Sequence, residues 1–212
     1  MNLGKAMACT ILAQCPSTPS PHHYTNAERW PMHPPATTRP DTVMVGDSIA
    51  AQWTPTPAAV LNHAIGGQTL AQVAEYYNED LQDYHPRAAI IEGGVNDLRA
   101  KSSVDQVIQH RMSLLTRSLA NGIKVYMVNI IPHDPAGACA DPNSGWNLVT
   151  QESVATFNAF LANLCADHAR CTLVDFAGKF GPTFNPALYY DCAHPNGAGH
   201  ILMDEALTEA LQ

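Results

Sequence analysis

Ser48 lies in "TVMVGDSIAAQW", residues 42–53, between a glycine–acid pair and an apolar helical run. A serine at such a strand-to-helix turn either caps the helix or presents its hydroxyl to a ligand. Far along the chain, "YYDCAHPNGAGH" supplies Asp191 and His194, and a spacing of three suits a tight turn in which the carboxylate reaches Nδ1 of the imidazole. Two further stretches, "NHAIGGQT" and "EGGVNDL", bring Gly66, Gly67, Gly93 and Gly94, where backbone N–H groups can approach a ligand closely. The second adds Asn96, whose side-chain amide can donate to a developing negative charge. A nucleophile, a base, an orienting acid and oxyanion donors are all present.

These residues need elements that bring them together. Apolar runs at residues 42–45, 60–63, 88–92, 125–130 and 172–174 read as buried strands, with helical stretches between them. Thr69 stands where an N-cap belongs, Ser103 and Gln106 have capping-box spacing ahead of a helix that stops at Gly122, and Asn196 can cap the last helix. Another helix reads over residues 149–168. Strands this apolar, alternating with helices, imply an α/β fold with a parallel sheet covered on both faces. With right-handed crossovers the expected architecture is a doubly wound, flavodoxin-like, five-stranded sheet of order 2-1-3-4-5. Its crevice opens at the carboxyl ends of strands 1 and 3, with strand 2 ending close by. Ser48, Gly67 and Asn96 follow those three strands, so the order predicts their convergence.

The blocks "VGDSI", "NHAIGGQT", "GGVNDL" and "DCAHPN" occur in that order and together resemble the SGNH hydrolases, also called GDSL-type esterases and lipases. Isoleucine stands where the family's common name has leucine. The resemblance implies that Ser48 is the nucleophile and, through its own N–H, one oxyanion donor. It gives Gly67 a second donor through its backbone and Asn96 a third through its side chain. His194 would be the general base and then the general acid, oriented by Asp191. Asp47 and Asp97 are expected to be structural, bonding loop N–H groups. The triad template then has Ser48 attack an ester carbonyl and pass through an acyl-enzyme that water releases. No cofactor and no metal are expected. His133 and Asp134 read as a loop pair because no third ligand stands at metal spacing. His200, Trp53, Tyr76 and Tyr77 read as structural, while Trp146 is open between pocket wall, core and surface.

The remaining sequence narrows the partners. A formal charge of −8 with no basic run disfavours nucleic acid, and no apolar run reaches the roughly 18–20 residues that span a bilayer. A chain of 212 residues accommodates one α/β domain. Residues 1–40 carry seven prolines and read as a leader plus Pro-rich linker ahead of a domain at 41–212. The short apolar run at residues 6–13 fits a cleaved leader or a disordered N-terminal tail. Cys165 and Cys171 flank a helix-to-strand junction where a bridge is geometrically possible, and Cys139 and Cys192 can pair if their loops meet. Bridges suit a secreted or periplasmic protein and free thiols a cytoplasmic one. Oligomeric state stays open.

The substrate is expected to be a small-molecule ester. Residues 132–147, rich in Pro, Gly, Asp and Asn, follow the fourth strand and are expected to shape the leaving-group side. No amphipathic lid suited to a lipid interface is evident. A short-acyl esterase follows, acting on acetyl esters of a carbohydrate or other small alcohol. The alternatives are a lysophospholipase or thioesterase of the same family, an O-acyltransferase with a sugar acceptor, and a binding module without catalysis. The absence of G-x-S-x-G argues against the α/β-hydrolase elbow. The lack of a glycine-rich phosphate loop after strand 1 argues against a cofactor binder.

Overall fold

Side chains of the central strands alternate between two apolar layers. Val43, Val45, Ala89, Ile91, Val125 and Met127 enter one, and Met44, Ile90, Tyr126 and Val128 the other. A sheet apolar on both faces has to be covered on both. The computed structural model, which describes residues 40–134 and 143–212, shows how this is done.

Five strands, β1 (Thr42–Val45), β2 (Val60–Asn62), β3 (Ala88–Ile91), β4 (Lys124–Val128) and β5 (Cys171–Val174), form one parallel sheet in the order β2-β1-β3-β4-β5. This is the expected doubly wound α/β topology. Seven α-helices flank it among the described residues: α1 (Ser48–Ala51), α2 (Leu70–Tyr84), α3 (Val95–Arg99), α4 (Val104–Ala120), α5 (Gln151–Ala166), α6 (Phe176–Phe180) and α7 (Gly197–Ala210). Val73 and Tyr77 of α2, Leu114 of α4 and Phe157 and Leu161 of α5 fill the first layer. Ile49 of α1, Phe176 of α6 and Met203 and Leu207 of α7 fill the second, together with Trp53. Each such burial contributes about 1.5–3 kcal/mol, so packing rather than helix propensity holds these elements.

The caps sit where the sequence places them. Thr69 and Ser103 form reciprocal capping boxes with Gln72 and Gln106. Asn196 accepts from the N–H groups of Ala198 and Gly199. β4 stops at Val128 instead of residue 130 because Asn158 of α5 takes both backbone groups of Ile130, at 2.9 and 2.8 Å. Cys165 and Cys171 are bridged, their Cα atoms 4.6 Å apart, tying the end of α5 to the start of β5. Cys192 is also disulfide-bonded. Its expected partner Cys139 lies outside the described residues, as do the leader and most of the linker. Among the described residues no helix is long and apolar enough to cross a membrane.

Candidate active site

The cap of α1 is Asp47, whose Oδ1 accepts the Ile49 N–H at 3.0 Å. Ser48 is therefore released from capping, and its Oγ lies 2.9 Å from His194 Nε2. On the other side of the ring, Nδ1 lies 2.7 Å from Asp191 Oδ2. An ionised carboxylate only accepts, so Nδ1 carries the proton and the Ser48 hydroxyl donates to Nε2. A hydroxyl, an imidazole and a carboxylate thus form one hydrogen-bonded chain across the carboxyl end of the sheet.

The C-terminal half of that chain is built by a tight turn. Asp191 Oδ1 accepts the N–H groups of Ala193 at 2.8 Å and His194 at 2.7 Å, the local bonding that makes Asp a turn residue. Burial alone would push the Asp191 carboxyl up, but the hydrogen bonds and charge of His194, with these two N–H groups, hold it below the usual range. Outside the turn, Tyr189 and Pro195 bridge antiparallel, and the Asp134 N–H donates to Cys192 O at 2.8 Å. The Tyr190 ring lies parallel to the imidazole, within 10° at 5.9 Å, and is 53 % exposed.

The strand-end loops close on the same place. The Ile65 N–H donates to Gly46 O at 3.1 Å, which sets the next turn against Ser48, a Cβ on Gly66 falling 3.7 Å from Ser48 Cβ. Gly67 has φ +79°, a conformation open to glycine at no cost, and its backbone is exposed. Asn96, on α3, donates through Nδ2 to Asp47 Oδ2 at 3.2 Å and to Gln68 O at 3.1 Å. The amide is thereby joined to the loops that carry Ser48 and Gly67, and both its hydrogens are engaged.

A buried layer supports these loops. Asp97 Oδ2 accepts the Leu70 N–H at 2.9 Å, and its Oδ1 lies 3.2 Å from His110 Nδ1. Asp47 and Asp97 therefore bond backbone N–H groups, but those of the first turns of α1 and α2 rather than of loops. Glu92 Oε2 accepts the Asp47 N–H at 3.0 Å. Arg111, reaching in from α4, donates to the carbonyls of Ile91, Gly93 and Val128. Burial first, and the Asp47 charge second, push the Glu92 carboxyl up to about 8. Burial also raises Asp47 and Asp97 and brings Arg111 down to about 10.

Sequence reasoning passed over Glu92, Arg99 and Arg111. Arg111 left a signal, because it shares a helical stripe with Val107, Leu114 and Leu115. Trp146 proves buried, its ring 4.6 Å from the Arg99 guanidinium and 5.1 Å from the His133 ring. His133 donates through Nε2 to Val149 O, and no group of three or more His, Cys, Asp or Glu among the described residues is placed to hold a metal ion. A hydroxyl–imidazole–carboxylate chain beside exposed backbone N–H groups can deprotonate the hydroxyl as it attacks a carbonyl.

Comparison with known proteins bears on the fold and the family of the chain. A candidate acylhydrolase from Bacteroides fragilis superposes over 100% of this chain and 97% of its own, with 21% identity and a TM-score of 0.70. A GDSL-like lipase from Bacteroides thetaiotaomicron aligns over 80% and 86%, at 21% identity and TM-score 0.67. A variant of an acetyl-xylooligosaccharide esterase from Geobacillus aligns over 80% and 93%, at 18% identity and TM-score 0.58. Identities this low speak to the fold alone. No protein of curated function matches the chain by sequence. The model of the GDSL-like lipase/acylhydrolase family matches residues 24–202, from within the Pro-rich segment into α7. The chain belongs to the GDSL-like lipase/acylhydrolase family.

Proposed function

We propose that the protein is a serine esterase that hydrolyses short-acyl esters, acetyl esters foremost, of a carbohydrate or other small alcohol. The observation that carries this reading is the continuous contact from Ser48 Oγ through His194 to Asp191, at 2.9 and 2.7 Å. Ser48 attacks the ester carbonyl while Nε2 of His194 takes its proton, and Asp191 stabilises the imidazolium. The tetrahedral oxyanion is met by the N–H groups of Ser48 and Gly67 and by the Asn96 amide, which exchanges one of its resting contacts for the new acceptor. Collapse expels the alcohol with the proton from His194. Water then attacks the acyl carbon as His194 takes its proton, and collapse breaks the bond to Ser48 Oγ, which recovers the proton from His194 as the acid leaves.

Two features support the alcohol side of the reading. The exposed Tyr190 ring beside the imidazole offers a flat apolar face of the kind a pyranose stacks on, and a protein of similar fold is an acetyl-xylooligosaccharide esterase. The catalytic unit is proposed as residues 41–212. The bridge between Cys165 and Cys171 supports a secreted or periplasmic location.

The test is a p-nitrophenyl ester series from acetate to long chains, followed by acetylated xylo-oligosaccharides with and without a free sugar acceptor. A rate maximum at acetate and release of free acetate are expected. A maximum at long chains would favour a lysophospholipase or thioesterase, and acetyl transfer to the acceptor an O-acyltransferase.

A further inference from the structure

Among the described residues, three donors of the Arg99 side chain meet two acceptors that belong to different parts of the chain. One terminal nitrogen donates to Asn96 Oδ1 at 2.9 Å, while Nε and the other terminal nitrogen donate to Ser144 O at 3.1 and 2.9 Å. The guanidinium also lies over the Trp146 ring at 4.6 Å. The segment is seated on the same residue through its backbone. Gly145 has φ +76°, and a Cβ there would fall 2.5 Å from Arg99 O, so glycine alone permits the approach.

Arginine has donors and no acceptor, which fixes the amide of Asn96. The atom facing Arg99 has to be the oxygen, and the NH2 has to face Asp47 Oδ2 and Gln68 O, as it does. A charge-assisted bond to the oxygen also draws electron density from the amide and strengthens its N–H groups as donors.

We infer that Arg99 is a positioning residue for the ester hydrolysis, which locks and polarises the Asn96 amide and makes that donor depend on the seating of residues 144–146. This rests on the assignment of Asn96 as an oxyanion donor. The planar fork is what serves both acceptors at once, so lysine replaces only part of the function.

The experiment is a double-mutant cycle with p-nitrophenyl acetate: Arg99→Met and Arg99→Lys, each alone and combined with Asn96→Ala, with Ser48→Ala as reference. Losing a hydrogen bond to a charged group is worth about ten- to a hundredfold in rate. Arg99→Met is expected to lower kcat by that factor while KM moves less than about twofold. Arg99→Lys should recover part of the loss, and neither change should slow the Asn96→Ala enzyme further. An unchanged kcat, a loss confined to KM, or the same loss in the Asn96→Ala background overturns the Arg99 inference. If Ser48→Ala keeps its turnover, the reading of the whole site fails. If Ser48→Ala is inactive while Asn96→Ala is unimpaired, only the Asn96 assignment and the Arg99 inference built on it fall.

Discussion

Two layers of the same site use the same residue types to opposite ends. In the outer layer, Asp191 holds His194 at 2.7 Å, and the far nitrogen of the ring meets a serine hydroxyl. In the inner layer, Asp97 lies 3.2 Å from His110, Glu92 holds the Asp47 N–H, and Arg111 caps strand-end carbonyls. The Asp191 carboxyl is kept below its usual range, whereas burial raises those of Asp47, Glu92 and Asp97. An acid beside an imidazole is therefore not chemistry by itself. What sets the outer pair apart, on the proposed function, is that its charge is stabilised and its second nitrogen faces a hydroxyl. The inner acids bond backbone and hold loops still.

If this division is right, substitutions in the outer layer cost turnover and those in the inner layer cost stability. The largest effect is expected from Ser48→Ala, which should lower kcat on the order of 10⁴–10⁶-fold with an unchanged melting temperature. Asp191→Asn should follow at about 10⁴-fold, since the neutral amide no longer fixes the proton on Nδ1. Asn96→Ala should lower kcat by about 10²–10³-fold and leave KM nearly unaltered. An unchanged kcat there removes Asn96 from the mechanism.

Arg111→Met addresses the inner layer. It removes the donor shared by the carbonyls of Ile91, Gly93 and Val128 and the positive charge that faces Glu92, Asp97 and Asp47. A loss of about 3–5 kcal/mol in denaturant unfolding is expected, with kcat per phosphonate-titrated site largely retained. A full loss of turnover at unchanged stability would erase the distinction between the layers.

Glu92→Gln should have the smallest effect, visible in the pH dependence of stability. The folded value of about 8 lies above the reference value of 4.5. Between those values the native state keeps a proton that the unfolded chain has released. The stabilisation is whole below the unfolded value and is lost as pH rises toward 8. Glutamine can still accept the Asp47 N–H, so the variant should show a flatter fall in melting temperature from pH 5 to 8. Parallel curves for the two proteins would contradict this.

The outer layer and the sheet were legible in the sequence for physical reasons. Strands buried on both faces leave continuous apolar runs, the strand order aims their carboxyl ends at one crevice, and the Asp191–His194 spacing is itself a turn. The inner layer was less legible because its partners are distant in sequence. Glu92 reads as the end of a strand until it is seen to meet the Asp47 N–H, 45 residues away. Arg99 and Ser144 likewise stand 45 residues apart, and no periodicity joins an arginine at a helix end to a loop carbonyl. Strand 4 ended early for a related reason, its last backbone groups having been taken by Asn158 from another helix.

The central claim is that the hydroxyl of Ser48, and no other, is made nucleophilic by His194. Incubation with a fluorophosphonate, followed by peptide mass mapping of the wild type and of His194→Ala, tests it most directly. The account predicts one adduct, on Ser48, formed at a rate that collapses in the His194 variant. An adduct on a different residue, or esterase activity that survives with Ser48 unmodified, would contradict it.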